Sequence, residues 1–212
     1  MIGPLRNIAR RTPLWSSLRE SSRVRSALGF EPTIWTRKAA DEAVRALLRP
    51  YDPPTLDALE ISGNVWRADP FRSHRSTSYP EFDICADVLP ETFDVVIMEH
   101  ILEHLREPGR AVRNARAMLR PGGLLLVVTP FLYKVHPDPI DTGRWTEQGM
   151  RFFLEDHGFP ADTTVTGSWG NRQCLLATLK REFILFNRHL HPMHNEPEYP
   201  IVVWALARNP GA

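Results

Sequence analysis

Four ionisable residues follow an apolar run near the middle of the chain. Directly after Val95-Val96-Ile97-Met98, six residues contain two glutamates and two histidines: Glu99, His100, Glu103 and His104. A second apolar run, from Leu124 to Val128, is soon followed by His136. Carboxylates and imidazoles transfer protons at neutral pH and bind divalent ions. The spacing therefore predicts a cluster of proton-transfer or metal-binding groups where two strands end.

The elements around this cluster form a predicted βαβ unit. Residues 108–119, between the two runs, have apolar positions at helical spacing, and Gly122-Gly123 gives a turn before the second run. In such a unit the carboxyl ends of both strands meet at one edge of the sheet, where open parallel sheets bind ligands. We expect the polar residues to meet in one cleft.

The remaining pattern is also α/β. We predict further strands at 56–61, 71–79, 82–87, 163–169 and 200–207, and helices at 36–48, 146–157 and 171–187. The first 25 residues hold six arginines and one acidic residue. We interpret 1–50 as an N-terminal helical arm or cap and 51–212 as the catalytic domain. Arg6, Arg10 and Arg11 either face solvent on this cap or clamp a substrate or phosphate.

Composition limits the class of protein. The chain has 212 residues, 42% of them hydrophobic, and a net charge of +1, which gives no reason to expect nucleic acid as a partner. No apolar run approaches the ~18 residues of a membrane span. Cys85 and Cys174 lack metal spacing and suggest buried thiols, with one disulfide left open. We expect a cytoplasmic protein, and the sequence is compatible with a homodimer.

The first strand ends in a possible ligand-binding turn. Glu60 lies near its end, and Gly63 lets the backbone approach a ligand. A dinucleotide site would show three glycines here, so a nicotinamide-cofactor fingerprint is absent. Tyr79, Asp83 and Asp87 either hold a ribose or adenine or simply cap turns.

His100, Glu103 and His104 also match the H-x-x-E-H pattern of inverted zinc peptidases. On a helix these three side chains would share one face and could converge on an ion. A peptidase needs the motif within a long helix, however, whereas here it lies at the mouth of a strand and shortly before Pro108-Gly109. The peptidase is therefore the weaker interpretation.

Several motifs together resemble class I S-adenosylmethionine-dependent methyltransferases of the type 11 group. They are Ala58–Gly63, Phe93–Ile97, Ile101–Leu105, Met118–Pro130 and Arg144–Thr146. The resemblance covers about residues 55–207 and implies a Rossmann-like, doubly wound, seven-stranded sheet that is mostly parallel with an antiparallel last strand. The chain departs from the family at Ser62-Gly63-Asn64, where Gly-x-Gly is usual.

Other segments resemble a bacterial branch of this group that is found with glycan-building genes. They are Tyr79–Cys85, Pro130–His136, Ile140–Trp145 and Ser168–Asn171. Actinobacterial sugar O-methyltransferases, including those of methylmannose polysaccharides, belong to it. The resemblance implies methylation of a hydroxyl on a sugar or oligosaccharide, possible mannosides among them. A non-catalytic interaction module with the same fold is the alternative, supported by the altered Gly-x-Gly.

The resemblance also implies residue roles. The S-adenosylmethionine-binding residues would be Glu60, Ser62, Gly63, Tyr79, Asp87 and Glu99. His136 would be the base, with His104 second and Glu103 assisting. His100, Glu103 and His104, with His136 as a further ligand, could instead hold a divalent ion; an all-oxygen set would favour Mg²⁺, and a histidine-rich set favours Mn²⁺ or Zn²⁺. The acceptor cleft would be lined by Asp141, Arg144, Trp145, Trp169 and Asn171, the tryptophans being equally suited to packing the cleft walls.

Overall fold

The computed structural model describes residues 22–181 and 183–211. The strands are β1 (Phe30–Ile34), β2 (Asp57–Glu60), β3 (Ser73–Ser76), β4 (Phe93–Glu99), β5 (Leu119–Pro130), β6 (Thr164–Trp169), β7 (Leu185–Asn187) and β8 (Val202–Arg208). The helices are α1 (Ser22–Ala27), α2 (Trp35–Leu48), α3 (Pro108–Ala117), α4 (Glu147–Glu155) and α5 (Arg172–Lys180). Arg6, Arg10 and Arg11 lie outside the described residues.

The main sheet has the order β3-β2-β4-β5-β8-β6, and β1 pairs with β7 in a separate ribbon. Strands β3, β2, β4 and β5 are parallel, whereas β8 runs antiparallel to both β5 and β6. This confirms the expected mostly parallel, Rossmann-like sheet with an antiparallel last strand. Parallel pairing brings the ends of β4 and β5 to the same edge.

The sheet is buried on both faces. Because side chains alternate along a strand, Val96 and Met98 of β4 pack into a core shared with α3 and α4. Val95 and Ile97 pack into the opposite core with α2 and α5. Burial on both sides explains why β4 is continuously apolar from Val95 to Met98 rather than alternating. Helix α2 thus shares a core with the sheet, and the domain boundary at residue 50 stays a prediction.

Three predicted elements are wrong in extent or type. The strand predicted at 82–87 is a turn, in which Phe82 and Ile84 are buried and Asp83 bonds the backbone of Cys85. The main sheet consequently has six strands among the described residues, not seven. The strand predicted at 71–79 is confined to Ser73–Ser76. The helix predicted at 171–187 ends at Lys180, and β7 follows it.

The helix predicted at 146–157 is confirmed as α4. The Thr146 hydroxyl accepts a hydrogen bond from the Gly149 N–H at 3.0 Å and so caps this helix. Cys174 is buried as expected, whereas Cys85 is partly exposed, and the two form no disulfide. Of the described helices, none combines the length and the hydropathy that a membrane crossing requires.

Two aspartates and two arginines form an ion network where β2 and β4 begin. Arg120 lies 3.0 Å from Asp57 and 2.5 Å from Asp94, and Arg72 lies 2.5 Å from Asp57. Hydrogen bonds from Arg72 and Ser73 hold the pKa of Asp57 well below its usual range. The network joins neighbouring strands at the edge of the sheet opposite the histidine cluster.

Acid is expected to weaken the fold partly through Asp57. Its unfolded pKa is about 3.9, so its stabilisation is fully present above that value and is lost as pH falls through the lower folded pKa. Asp57→Asn should lower the free energy of unfolding at neutral pH by about 1 kcal/mol. It should also make unfolding less sensitive to acid, as measured by urea titration at neutral and acidic pH. Equal acid sensitivity in the variant and the unmodified protein would contradict this role.

Candidate functional site

The predicted cluster lies at the carboxyl ends of β4 and β5. Directly after β4, His100 has a φ of +54°, and its N–H donates to the Val128 carbonyl at 2.8 Å. Residues Leu102–His104 then form a single 3-10 turn. The H-x-x-E-H sequence therefore does not lie within a long helix. This excludes the geometry that a zinc peptidase of that pattern requires.

Glu103 is the buried centre of the cluster. Its side chain is 0% exposed, and the Thr129 hydroxyl donates to its Oε2 at 3.3 Å. Its Oε1 has no hydrogen-bond partner among the described residues, although His100 Nδ1 is 3.3 Å away and His104 Nε2 is 3.7 Å away. Burial raises the pKa of Glu103, but the neighbouring His100, a backbone hydrogen bond and His104 together lower it by more, and the net shift is downward. The structure therefore holds a carboxylate with one unbonded oxygen beside two imidazoles.

The two histidines beyond Glu103 face each other. His104 Nδ1 lies 2.6 Å from the Ile140 carbonyl, so Nδ1 carries the hydrogen and Nε2 is left as an acceptor. The rings of His104 and His136 are perpendicular, with centroids 5.0 Å apart. Ligand atoms of Glu103, His104 and His136 all lie within 4.8 Å of one another. Two ligand atoms of one divalent ion are at most about 4.5 Å apart. The spacing of these three side chains is therefore close to the spacing that an ion would require. His100 is not part of this set.

The loop that carries His136 is fixed by an ion pair. The His136 N–H donates to Asp141 Oδ2 at 2.8 Å, and both terminal nitrogens of Arg144 bond the Asp141 carboxylate. The Arg144 guanidinium is the main reason that the pKa of Asp141 falls to about 2. Asp141 is therefore ionised throughout the physiological range and holds the backbone at His136 in place.

A cavity of about 610 Å³ opens over the cluster. His100, His104 and His136 line one side, and Trp35, Tyr133 and Phe183 are among the aromatic residues that line the rest. Arg37 also contributes to the lining. A cavity of this size, mostly apolar with a few polar groups at one side, suits a small molecule.

Glu60 and Glu99 lie at the ends of β2 and β4. Both Glu60 oxygens accept bonds from the chain itself, from the N–H groups of Val65 and Trp66 at 2.8 and 3.1 Å and from His74 at 2.8 Å. Glu99 accepts from Arg37 at 3.1 Å and from the Trp66 indole at 2.7 Å. The two carboxylates thus shape the loop after β2 and join it to α2.

Comparison with known proteins identifies this architecture. A family model described as "Methyltransferase domain" matches residues 13–162, more than two thirds of the chain. The chain belongs to this family. It is therefore an S-adenosylmethionine-dependent methyltransferase domain of class I, and the expected cofactor is confirmed at that level.

Two curated proteins match short stretches of the chain. A ubiquinone biosynthesis O-methyltransferase of Parvibaculum lavamentivorans is 41% identical over 39 residues, which are 18% of this chain and 15% of that protein. The highly reducing polyketide synthase pkhB of Emericella nidulans is 45% identical over 40 residues, which are 19% of this chain and 2% of that protein. The matched stretches thus span only small parts of these relatives.

Solved structures share the fold at low sequence identity. The N-methyltransferase NodS of Bradyrhizobium japonicum, in complex with S-adenosyl-L-homocysteine, aligns over 85% of this chain and 90% of its own, with 16% identity and a TM-score of 0.52. The [4+2]-cyclase SpnF aligns over 87% of each chain, with 13% identity and a TM-score of 0.51. Because these include a methyltransferase and a cyclase, the fold alone does not fix the reaction.

The methyltransferase domain has an unusual residue in its first turn. Ser62 stands where the resemblance expects the first glycine, and its φ is +51°. A Cβ on the following residue, Gly63, would overlap Glu60 Oε1, so Gly63 is required by the Glu60 carboxylate. The turn is therefore left-handed at Ser62, although Ser62 and Asn64 stand at both glycine positions of the Gly-x-Gly pattern.

Ser62→Gly is expected to stabilise this turn. A left-handed residue other than glycine costs about 1–2 kcal/mol, and the greater freedom of glycine in the unfolded chain offsets part of that. The free energy of unfolding should rise by up to about 1 kcal/mol, with S-adenosylhomocysteine affinity unchanged or higher by calorimetry. Ser78→Gly, where φ is not positive, is the matched control and should destabilise. A Ser62→Gly variant that is less stable than the unmodified protein would show that the left-handed backbone at Ser62 is not a source of strain.

Two other predicted cofactor residues lie at the surface. Tyr79 is 69% exposed, and Asp87 is exposed with its carboxylate accepting the Asp83 N–H at 2.7 Å. Both lie beyond the end of β3, so neither is held in the buried cluster. Their roles toward ribose and adenine stay predictions.

The predicted acceptor residues divide into two groups. Asp141 and Arg144 lie beside His136, as described above. Trp145 packs against Phe153, with ring centroids 5.4 Å apart. Trp169 is buried and donates to the Met193 carbonyl, while Asn171 caps α5 and bonds the Pro192 and His194 carbonyls. None of these three residues is among those that line the cavity.

Sequence reasoning missed Arg37, Trp66 and Tyr133. Arg37 lies in the first turn of α2, a helix that was predicted only as a packing element, and it lines the cavity beside Glu99. Trp66 lies in the short 3-10 helix Val65–Ala68, a segment with no periodic apolar pattern. Only the long-range contacts to Glu99 reveal these two residues, and no local signal in the sequence would have shown them.

Proposed function

We propose that this methyltransferase domain methylates a hydroxyl group of a sugar or glycan, with oligosaccharides and mannosides as the first acceptors to consider. The observation that carries the proposal is the set of Glu103, His104 and His136, in which the two histidines line a cavity large enough for a sugar and the buried Glu103 lies behind them. Their ionisable atoms converge at the carboxyl ends of β4 and β5.

The need for such a cluster favours a hydroxyl over an amine. An unprotonated amine is nucleophilic by itself, whereas a sugar hydroxyl has a pKa far above neutrality and requires a base or a metal ion. S-adenosylmethionine, when bound, supplies an electrophilic methyl group on a cationic sulfur. The protein must align the acceptor oxygen in line with that methyl group and remove its proton.

His136 is the proposed base. Its Nδ1 lies 3.2 Å from the Lys134 carbonyl and 3.4 Å from Asp141 Oδ2, and the Arg144 guanidinium is also 3.4 Å away. Because the nearer Lys134 carbonyl accepts a hydrogen bond from Nδ1–H, Nε2 is free to take the proton from the substrate hydroxyl. Asp141 and Arg144 hold the loop so that His136 keeps this orientation. His104 is the second candidate base.

The same residues fit a divalent ion. The unbonded Glu103 Oε1 and the free His104 Nε2 are ligands of the right chemistry, His136 can complete the set, and His100 stands next to Glu103. An ion bound there would lower the pKa of a coordinated hydroxyl. Two histidines and one carboxylate favour Mn²⁺ or Zn²⁺ more than Mg²⁺. Chelator treatment followed by single-metal addition tests this, because turnover that survives chelation assigns removal of the proton to a side chain, His136 or His104, without an ion.

The cofactor would contact the exposed part of the turn that follows β2. Glu60 holds that turn through its own bonds to the backbone, so Ser62 and the backbone around Gly63 are the groups left to meet the cofactor. Glu99 would line the sulfonium side, held there by Arg37 and Trp66. Tyr79 and Asp87 remain the candidates for the ribose and the adenine.

Cofactor binding and turnover together test the proposal. Calorimetry should show saturable binding of S-adenosylhomocysteine, and mannosides should accelerate conversion of S-adenosylmethionine to S-adenosylhomocysteine. Binding without turnover across a panel of glycosides would favour the alternative, a non-catalytic interaction module. Absence of binding would overturn the proposed function altogether.

A further inference from the structure

An exposed apolar surface lies on α5 and the segments next to it. Four large side chains form it, and we call it the apolar ridge: Leu176 and Leu179 of α5, with Phe183 and Leu190. They are between 55% and 70% exposed. Gln173 of α5 donates to the Leu190 carbonyl, which joins the two segments. Exposed apolar side chains that cluster in this way mark interaction surfaces.

The ridge is not needed by the core of α5. That helix turns Cys174 and Thr178 inward, whereas Leu176 and Leu179, three residues apart, lie on its outer face. Polar residues would be expected at these two positions on an ordinary solvent-facing helix. Phe183 also lines the cavity over the histidine cluster, so the ridge borders the rim of that cavity.

Cations flank the ridge. Lys180, Arg181 and Arg188 are exposed, and none of them pairs with a carboxylate of a described residue. Two acids on neighbouring segments are already neutralised, Glu196 by Arg172 at 2.8 Å and Glu31 by Lys38 at 2.7 Å. One further acid, Glu182, lies between Arg181 and Phe183 in sequence and is outside the described residues. Asp138, an exposed acid that lines the same cavity as Phe183, lies on the side of the ridge toward the histidines. The described residues of 172–190 include no acid, so this segment is apolar at its centre with cations beside it.

We propose that the apolar ridge and its cations dock the protein on an anionic lipid surface. Leucine and phenylalanine beside lysine and arginine are the composition of segments that bind at a membrane interface. Charge complementarity favours a lipid surface over two other occupants, the N-terminal segment of this chain and a second copy of it. The first 25 residues of the chain carry six arginines against one acid, and a second copy would present the same cations, so both would be repelled. The docking requires neither cofactor nor acceptor.

Vesicle co-sedimentation of the full chain tests this docking. The unmodified protein should bind vesicles that contain phosphatidylglycerol and should bind phosphatidylcholine vesicles much more weakly. The double variant Leu176→Glu/Leu179→Glu should lose binding by at least about tenfold, and Lys180→Glu/Arg188→Glu by about the same factor. Raising the salt concentration should weaken the remaining binding.

Matched controls separate the ridge from surface changes in general. Phe152→Glu replaces another exposed aromatic residue, on α4, and Arg113→Glu reverses an exposed charge on α3; both should bind vesicles as the unmodified protein does. Circular dichroism and thermal melting confirm that each variant folds. Failure of the unmodified protein to bind anionic vesicles would overturn the proposal, as would equal binding by the ridge variants. A dimer in analytical ultracentrifugation that Leu176→Glu/Leu179→Glu dissociates would instead assign the ridge to self-association.

Discussion

Glu103→Gln is expected to lower kcat by about 10²–10⁴-fold while leaving the affinity for S-adenosylhomocysteine within about twofold. The amide keeps the size of the side chain but removes the charge that lies 3.3 Å from His100 and 3.7 Å from His104. If an ion is bound, the change also removes its only carboxylate ligand in the described cluster. Steady-state kinetics and calorimetry measure the two effects separately.

Glu107→Gln is the matched control for this change. Glu107 lies shortly after Glu103, its side chain is 61% exposed, and its ion pair with Arg110 is at the surface. We expect its kcat to be unchanged. Thermal melting must show that Glu103→Gln folds, because Glu103 is fully buried. A folded Glu103→Gln variant with normal kcat would remove Glu103 from the reaction.

His136→Ala should reduce kcat by about 10²–10⁴-fold with little change in cofactor affinity. The imidazole lines the cavity and faces His104, whereas the contact that fixes the loop comes from the His136 backbone N–H to Asp141. The side chain can therefore be removed without releasing the loop. Comparison of kcat with the dissociation constant of S-adenosylhomocysteine distinguishes loss of the base from loss of the cofactor site.

His194→Ala provides the control for the His136 variant. His194 is 59% exposed, pairs with Glu196 and is absent from the cavity lining. It should retain full activity. If His136→Ala also retains activity, the role of base moves to His104 or to a metal-bound group. Asp141→Asn provides an independent test of the role of His136. It should weaken the hydrogen bond that holds the His136 backbone, and it should lower kcat less than His136→Ala does.

The strands and their polar ends could be predicted where local pattern and tertiary environment agree. Strand β4 is continuously apolar from Val95 to Met98 because both of its faces are buried there, and such a run is recognisable without any partner. The Thr146 cap is equally local, since it requires only a hydroxyl three residues before an N–H. The convergence of Glu103, His104 and His136 followed from the βαβ connection.

Elements that depend on distant contacts could not be predicted in the same way. Phe82 and Ile84 alternate like a strand, but they fill the core from a turn. Helix α5 stops at Lys180, and β7 forms because β1 offers an edge with which to pair. Glu60 illustrates the same limit in the site, because the sequence showed a carboxylate at a strand end but not the three groups of the chain that bond it.

The atom that receives the methyl group tests the central claim most directly. The protein would be incubated with ¹³C-methyl-labelled S-adenosylmethionine and an equimolar mixture of methyl mannoside, a mannose oligosaccharide and the corresponding amino sugars. The products would then be examined by carbon NMR and mass spectrometry. We expect a labelled methyl ether on a neutral sugar, and its loss in Glu103→Gln. A labelled methylamine on an amino sugar, with no ether formed, would contradict the account.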